Sequence, residues 1–186
     1  WMRHLWYCDG MITNWGTHLN DGAMWCTDLE RTGPVEIEGK GTYPPAESFW
    51  NVLLDFEVTY RFASGVTWTY RTEKPYFRIE GEKGWVEASF DFLRAEPASL
   101  LGWKPPAPSV PPRKSDKQDF IDSVRSRKET LEPAEVGHRV TSLCHLGHIA
   151  VHLGERLRWD PEAERFQENA RANELIASPI RSPRPA

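Results

Sequence analysis

Residues 52–71 read VLLDFEVTYRFASGVTWTYR, and their alternation decides the fold class. Val52, Leu54, Phe56, Val58, Tyr60 and Phe62 fall on one parity. Leu53, Asp55, Glu57, Thr59 and Arg61 fall on the other. Successive strand side chains point to opposite faces, so this period of two predicts a strand with one apolar and one largely polar face. Ala63-Ser64-Gly65 supplies a turn, and Val66, Trp68 and Tyr70 then alternate with Thr67, Thr69 and Arg71. Downstream, residues 77–79, the turn Gly81-Glu82-Lys83-Gly84 and residues 85–92 read as a second hairpin. Upstream, residues 35–42 add another strand. Sequential hairpins predict an antiparallel sheet of at least five strands, and one-sided alternation predicts helices on one of its faces. The fold class is therefore α+β, an open, mainly antiparallel sheet with helices packed on one face.

Helical periods flank the strands. An aromatic, glycine-bearing opening (Trp1, Trp6, Tyr7, Gly10, Trp15, Gly16) leads into Leu19, Ala23 and Cys26 at helical spacing. Asn14 or Thr17 is the expected cap, since a short side-chain oxygen accepts from the free N–H groups of a first turn. Pro34 disfavours a helical residue before it, so this helix ends ahead of Gly33. Residues 116–127 predict a helix with Phe120, Ile121 and Val124 turned inward. Pro133 opens another, with Glu132 as a cap. Val136, Val140, Leu143, Leu146 and Ala150 form its apolar stripe, Gly147 allows close approach, and it ends near Gly154. A short helix is predicted over 170–176. The proline-rich stretches 97–112 and 178–186 read as extended chain.

The 186 residues suit one domain. A net charge of −4, with no Lys/Arg block along one face, speaks against nucleic acid. No apolar run approaches the ~20 residues that span a bilayer. Cys8, Cys26 and Cys144 form neither a disulfide framework nor a zinc pattern, so buried reduced thiols are expected, in a reducing compartment. Nine tryptophans suit a dense core, a sugar-facing pocket or an apolar interface alike. No Gly-x-Gly-x-x-Gly follows a strand. Gly39-Lys40-Gly41 lies inside strand-like sequence, so no dinucleotide is expected to bind this chain by itself.

For chemistry, Asn14-Trp15-Gly16-Thr17-His18-Leu19-Asn20-Asp21 places an imidazole at a helix start. Asn14 and Asp21 are close enough to orient it, and Gly16 would permit close approach of a ligand. A histidine can take the proton from an alcohol during oxidation. On spacing alone, a histidine that simply packs there is the simpler reading. His145, His148 and His152 share a helix face, a spacing open to metal ligation but more readily explained by packing or solvent exposure.

Several stretches together carry a resemblance: Arg3…Trp6-Tyr7-Cys8-Asp9-Gly10…Asn14-Trp15-Gly16-Thr17-His18…Asp21…Trp25; Asp119-Phe120…Ser126-Arg127-Lys128; Gly137-His138-Arg139 through Cys144-His145-Leu146-Gly147-His148-Ile149-Ala150; and Trp159-Asp160-Pro161-Glu162…Phe166 with Pro179-Ile180-Arg181-Ser182-Pro183. In this order they resemble the C-terminal domain of Gfo/Idh/MocA-type oxidoreductases, the glucose-fructose oxidoreductase and inositol dehydrogenase family. The resemblance implies a dihydrodipicolinate reductase-like C-terminal domain over residues 1–186. The N-terminal Rossmann domain would lie outside the chain, an expectation that the abrupt start at Trp1 also fits. It implies NAD or NADP in the full-length protein, a sugar or polyol substrate, and a homo-oligomer built on the sheet face. The cytoplasm is the expected location, or the periplasm if a twin-arginine signal precedes the missing domain. In this family an Asp-x-x-x-His pair and a lysine of the other domain surround the reacting hydroxyl. His18 occupies the histidine position and Asn14 the aspartate position. The implied catalytic pair is thus His18 and Asn14, with Arg3, Trp6, Trp15 and Asp21 lining or supporting the pocket. An amide can orient a ring or bind a hydroxyl, but cannot stabilise an imidazolium by charge. A non-catalytic sugar-binding or assembly module is the alternative this departure leaves open.

Overall fold

The computed structural model describes residues 1–102, 104 and 115–177. In chain order the elements are α1 (Met11–Cys26), β1 (Glu36–Thr42), β2 (Asp55–Arg61), β3 (Thr67–Arg71), β4 (Phe77–Gly81), β5 (Gly84–Ala88), β6 (Leu93–Glu96), a 3₁₀ turn (Ala98–Gly102), α2 (Asp116–Ser126), α3 (Ala134–Leu153), β7 (Leu157–Asp160), β8 (Arg165–Gln167) and α4 (Ala170–Glu174). Five strands form one antiparallel sheet in the order β3-β2-β1-β7-β8. Helices α1 and α3 pack against each other, and α3 lies on β1 and β2.

The predicted parity positions this packing. Phe56, Val58 and Tyr60 of β2 are buried with Ile37 of β1 under Leu143, Leu146 and Ala150 of α3 and Ile12 and Met24 of α1. Each large apolar side chain buried this way is worth about 1.5–3 kcal/mol. The other parity carries charge. Arg61 bonds Glu36 at 2.9 Å and Glu38 at 2.8 Å, and Lys40 meets Glu57 at 3.1 Å. These are cross-strand neighbours: Glu36 opposes Arg61, and Lys40 opposes Glu57. The sheet is therefore apolar toward the helices and ion-paired on its outer face.

Several expectations are corrected. The β2 ladder begins at Asp55. Before it Val52 and Leu53 are both buried and Leu54 is exposed, because alternation holds only where a strand is paired. The second hairpin joins β6 in a separate three-stranded sheet, β4-β5-β6. The side of β1 away from β2 is taken by β7 and then β8, strands of four and three residues, too short to show a period. Helix α1 starts at Met11 behind Gly10, whose φ of 83° no side chain favours. Asn14 and Thr17 are hence interior to the helix, and the Thr17 hydroxyl donates to the Asn14 carbonyl at 3.0 Å instead of capping. The cap of α3 is Pro133, not Glu132. Phe120, Ile121 and Val124 of α2 are exposed rather than inward, since an apolar period marks a face without supplying anything to cover it. Cys144 is buried, but Cys8 is only half-buried and Cys26 is exposed. Most of the expected extended stretch 97–112 and all of 178–186 lie outside the described residues; the 3₁₀ turn occupies the start of the first.

Candidate functional site on the outer face of α1

Helix α1 has two faces of opposite character. Residues three and four apart are neighbours on a helix, so Ile12, Gly16, Asn20 and Ala23 form one buried stripe. Gly16 belongs to that stripe. A Cβ there would sit 2.7 Å from Cys144 Sγ and 3.0 Å from the Tyr70 hydroxyl, so the glycine serves the contact with α3 and β3, not the approach of a ligand. Asn20 Nδ2 donates to Cys144 Sγ at 3.6 Å, and burial pushes the Cys144 thiol up to about 12. That thiol stays protonated and belongs to the core.

The same spacing collects Asn14, Trp15, His18 and Asp21 on the opposite face. The exposed His18 ring meets Trp15 edge-on with centroids 6.0 Å apart, and Trp15 meets Phe90 at 6.1 Å. Burial raises the Asp21 carboxyl above its ordinary value, while the charge of His18 acts in the opposite direction. The Asn14 carboxamide makes no hydrogen bond among the described residues, so its donor and acceptor are both available. Arg3 and Trp6 are not brought to this face by any contact among the described residues. Arg3 stacks over Trp50 at 4.6 Å, and Trp6 is 76% exposed on the loop before α1. That loop is held by Leu5 N donating to Asn51 Oδ1 at 2.8 Å. On the other side of Trp15, α1, β3 and β4 enclose a cavity of about 740 Å³, walled by Trp15, Leu19, Trp68, Tyr76 and Phe77.

A second cluster involves the α3 histidines. Asp9 Oδ2 lies 2.6 Å from His145 Nδ1 and 3.4 Å from His148 Nδ1, and His148 Nε2 is 3.0 Å from the Tyr43 hydroxyl. Burial pushes the Asp9 carboxyl up, but hydrogen bonds from both imidazoles outweigh it and hold the group well below the ordinary carboxylate range. Burial, with Asp9 nearby, raises Tyr43 to about 12. His152 packs against Tyr43 and His148 and is pushed down by burial. Among the described residues no group of three or more His, Cys, Asp or Glu is placed to hold a metal. His145 and His148 thus anchor the loop before α1 to α3 through Asp9. The sequence shows their shared face, but Asp9 is 136 positions from His145 and no local period links them.

The sequence from residue 2 to 185 matches the C-terminal alpha/beta domain of an oxidoreductase family, the Gfo/Idh/MocA type. No protein of curated function matches it significantly. Among solved structures, it is similar to an aldose-aldose oxidoreductase from Caulobacter crescentus complexed with glycerol, with a TM-score of 0.56 and 20% identity over 77% of this chain and 45% of that one. It is similar to an NAD-binding protein from Listeria innocua, with a TM-score of 0.56 and 18% identity over 84% and 50%. An oxidoreductase from Agrobacterium radiobacter in complex with NAD+, L-tartaric acid and magnesium superposes with a TM-score of 0.53 and 12% identity over 80% and 49%. At these identities the likeness is one of fold, and the chain spans about half the length of each. No helix among the described residues is long and apolar enough to cross a membrane.

Proposed function

Since the chain belongs to the Gfo/Idh/MocA oxidoreductase family as its C-terminal alpha/beta domain, we propose that it forms the substrate-facing wall of an NAD(P)-dependent oxidoreductase acting on a sugar or polyol hydroxyl. The observation that carries this reading is the exposed α1 face. It holds a titratable ring, a carboxylate and a free carboxamide within two turns, beside an aromatic wall.

In this reading the dinucleotide is held outside the described residues of this chain. All strand pairs among the described residues are antiparallel, and none feeds a glycine-rich turn into a helix. NAD or NADP belongs with the half of the relatives that the chain does not span, and the nicotinamide supplies the hydride acceptor there. The residues of this chain handle the proton. As hydride leaves the carbinol carbon, an imidazole nitrogen of His18 takes the hydroxyl proton, leaving a carbonyl and a protonated ring. Asn14, one turn before, donates to or accepts from a neighbouring hydroxyl but adds no charge. Asp21, three residues on, is the carboxylate that favours the protonated ring. Trp15 meets the ring edge-on, and Arg3 and Trp6 lie on the loop before α1.

The test is turnover by the full-length protein with NAD(P) and a panel of sugars and polyols. His18→Ala is expected to lower kcat/KM by about 10²–10⁴-fold. Unchanged turnover would remove His18 from the mechanism.

A further inference from the structure

Trp15 belongs to two places at once. One edge meets His18, and the ring also forms part of the cavity between α1, β3 and β4. That cavity therefore continues from the proposed reacting face. At about 740 Å³ it is in the range of pockets that take drug-sized ligands, more than one hydroxyl-bearing ring requires. Its walls are aromatic on three sides: Trp15 from α1, Trp68 from β3, and Tyr76 with Phe77 at the start of β4. Trp68 and Phe77 are half-buried, so each presents part of its ring to the space.

The rim arginines are ion-paired, while Lys74 has no ion pair among the described residues. Arg71 pairs with Glu73 at 2.8 Å, and Arg78 pairs with Glu80 at 2.6 Å and Glu87 at 3.1 Å. A space with paired arginines, one lysine ammonium that can donate to hydroxyls and flat aromatic walls suits a ring with polar edges and an apolar C–H face, which is a pyranose. We propose that this cavity is a second sugar subsite, so that the substrate is a glycoside of at least two rings. One ring reacts at His18, and the other stacks among Trp15, Trp68 and Phe77.

This inference rests on the reading of the α1 face as the reacting site, but its test needs no turnover. The chain is titrated calorimetrically with glucose, maltose and cellobiose. At least one disaccharide is expected to bind about tenfold or more tightly than glucose, a difference of about 1.4 kcal/mol. Phe77→Ala and, separately, Tyr76→Ala are expected to erase that preference while the melting temperature and near-ultraviolet circular dichroism stay native. Phe120→Ala, on the exposed face of α2, is expected to keep it. Equal affinity for all three sugars, absence of disaccharide binding, or a preference that survives in both folded cavity variants would overturn the subsite. Failure of His18 as the proton acceptor appears only in turnover, so the two readings fail separately.

Discussion

The two faces of α1 are built from one helical period and meet opposite fates. On the inner face every group is committed: Gly16 against Cys144 and Tyr70, Asn20 to Cys144, Ile12 in the core. On the outer face His18 is exposed and the Asn14 carboxamide is unbonded among the described residues. The inner face tolerates no added atom, whereas the outer face has polar groups that the fold does not use. Side chains the fold does not need are the ones available for chemistry, and this contrast separates a packing residue from a working one inside a single motif.

The contrast breaks most sharply where α3 meets the sheet. The Tyr60 hydroxyl donates to the Leu143 carbonyl at 2.9 Å, and a Cβ at Gly147 would collide with that hydroxyl. Tyr60 is fully buried and has nowhere to go. Gly147→Ala is therefore expected to cost about 3 kcal/mol, read as a shift of the urea midpoint at unchanged slope. A loss below about 0.5 kcal/mol would show that the seam yields.

Asp9 gives an intermediate case, a polar group that the fold does use. Its folded-state pKa lies below the ordinary 3.8. A depressed carboxyl contributes stability that is present above its unfolded value and is lost as pH falls through 3.8 and below. Asp9→Asn is expected to lower stability at neutral pH by about 1–3 kcal/mol and to flatten the acid limb of the stability–pH curve. Parallel acid limbs in the two proteins would show that the His145 and His148 contacts do not bear on stability.

The smallest stability effect is expected on the outer face. Asn14→Asp adds a carboxylate one turn from His18, an i,i+4 spacing worth about 0.2–0.5 kcal/mol in stability. The gain is read as a small rise of the urea midpoint that added salt removes. An unchanged midpoint would place residue 14 out of electrostatic reach of the ring.

Much of this was legible in the sequence. The period of two across 52–71 specified β2, β3 and which face would be apolar, because pleat geometry is local. The stretch 14–21 was legible as a candidate site, but its shared helix face was not, because the sequence placed Asn14 or Thr17 at the cap and both lie inside α1. Three further things were not. The short strands β7 and β8 carry too few residues for a period, yet they complete the sheet. The exposure of Phe120, Ile121 and Val124 depends on what lies opposite α2, which no local pattern encodes. The role of Gly16 looked like room for a ligand and proved to be room for Cys144.

The sequence by itself determined the α+β class and the polarity of each sheet face, because both follow from periodicity along the chain. Only the tertiary structure decided which glycines are contacts, that Asp9 ties the opening loop to His145 and His148, and that an aromatic cavity adjoins Trp15. Those facts join residues dozens of positions apart, and their geometry exists only once α1, α3 and the sheets have packed together.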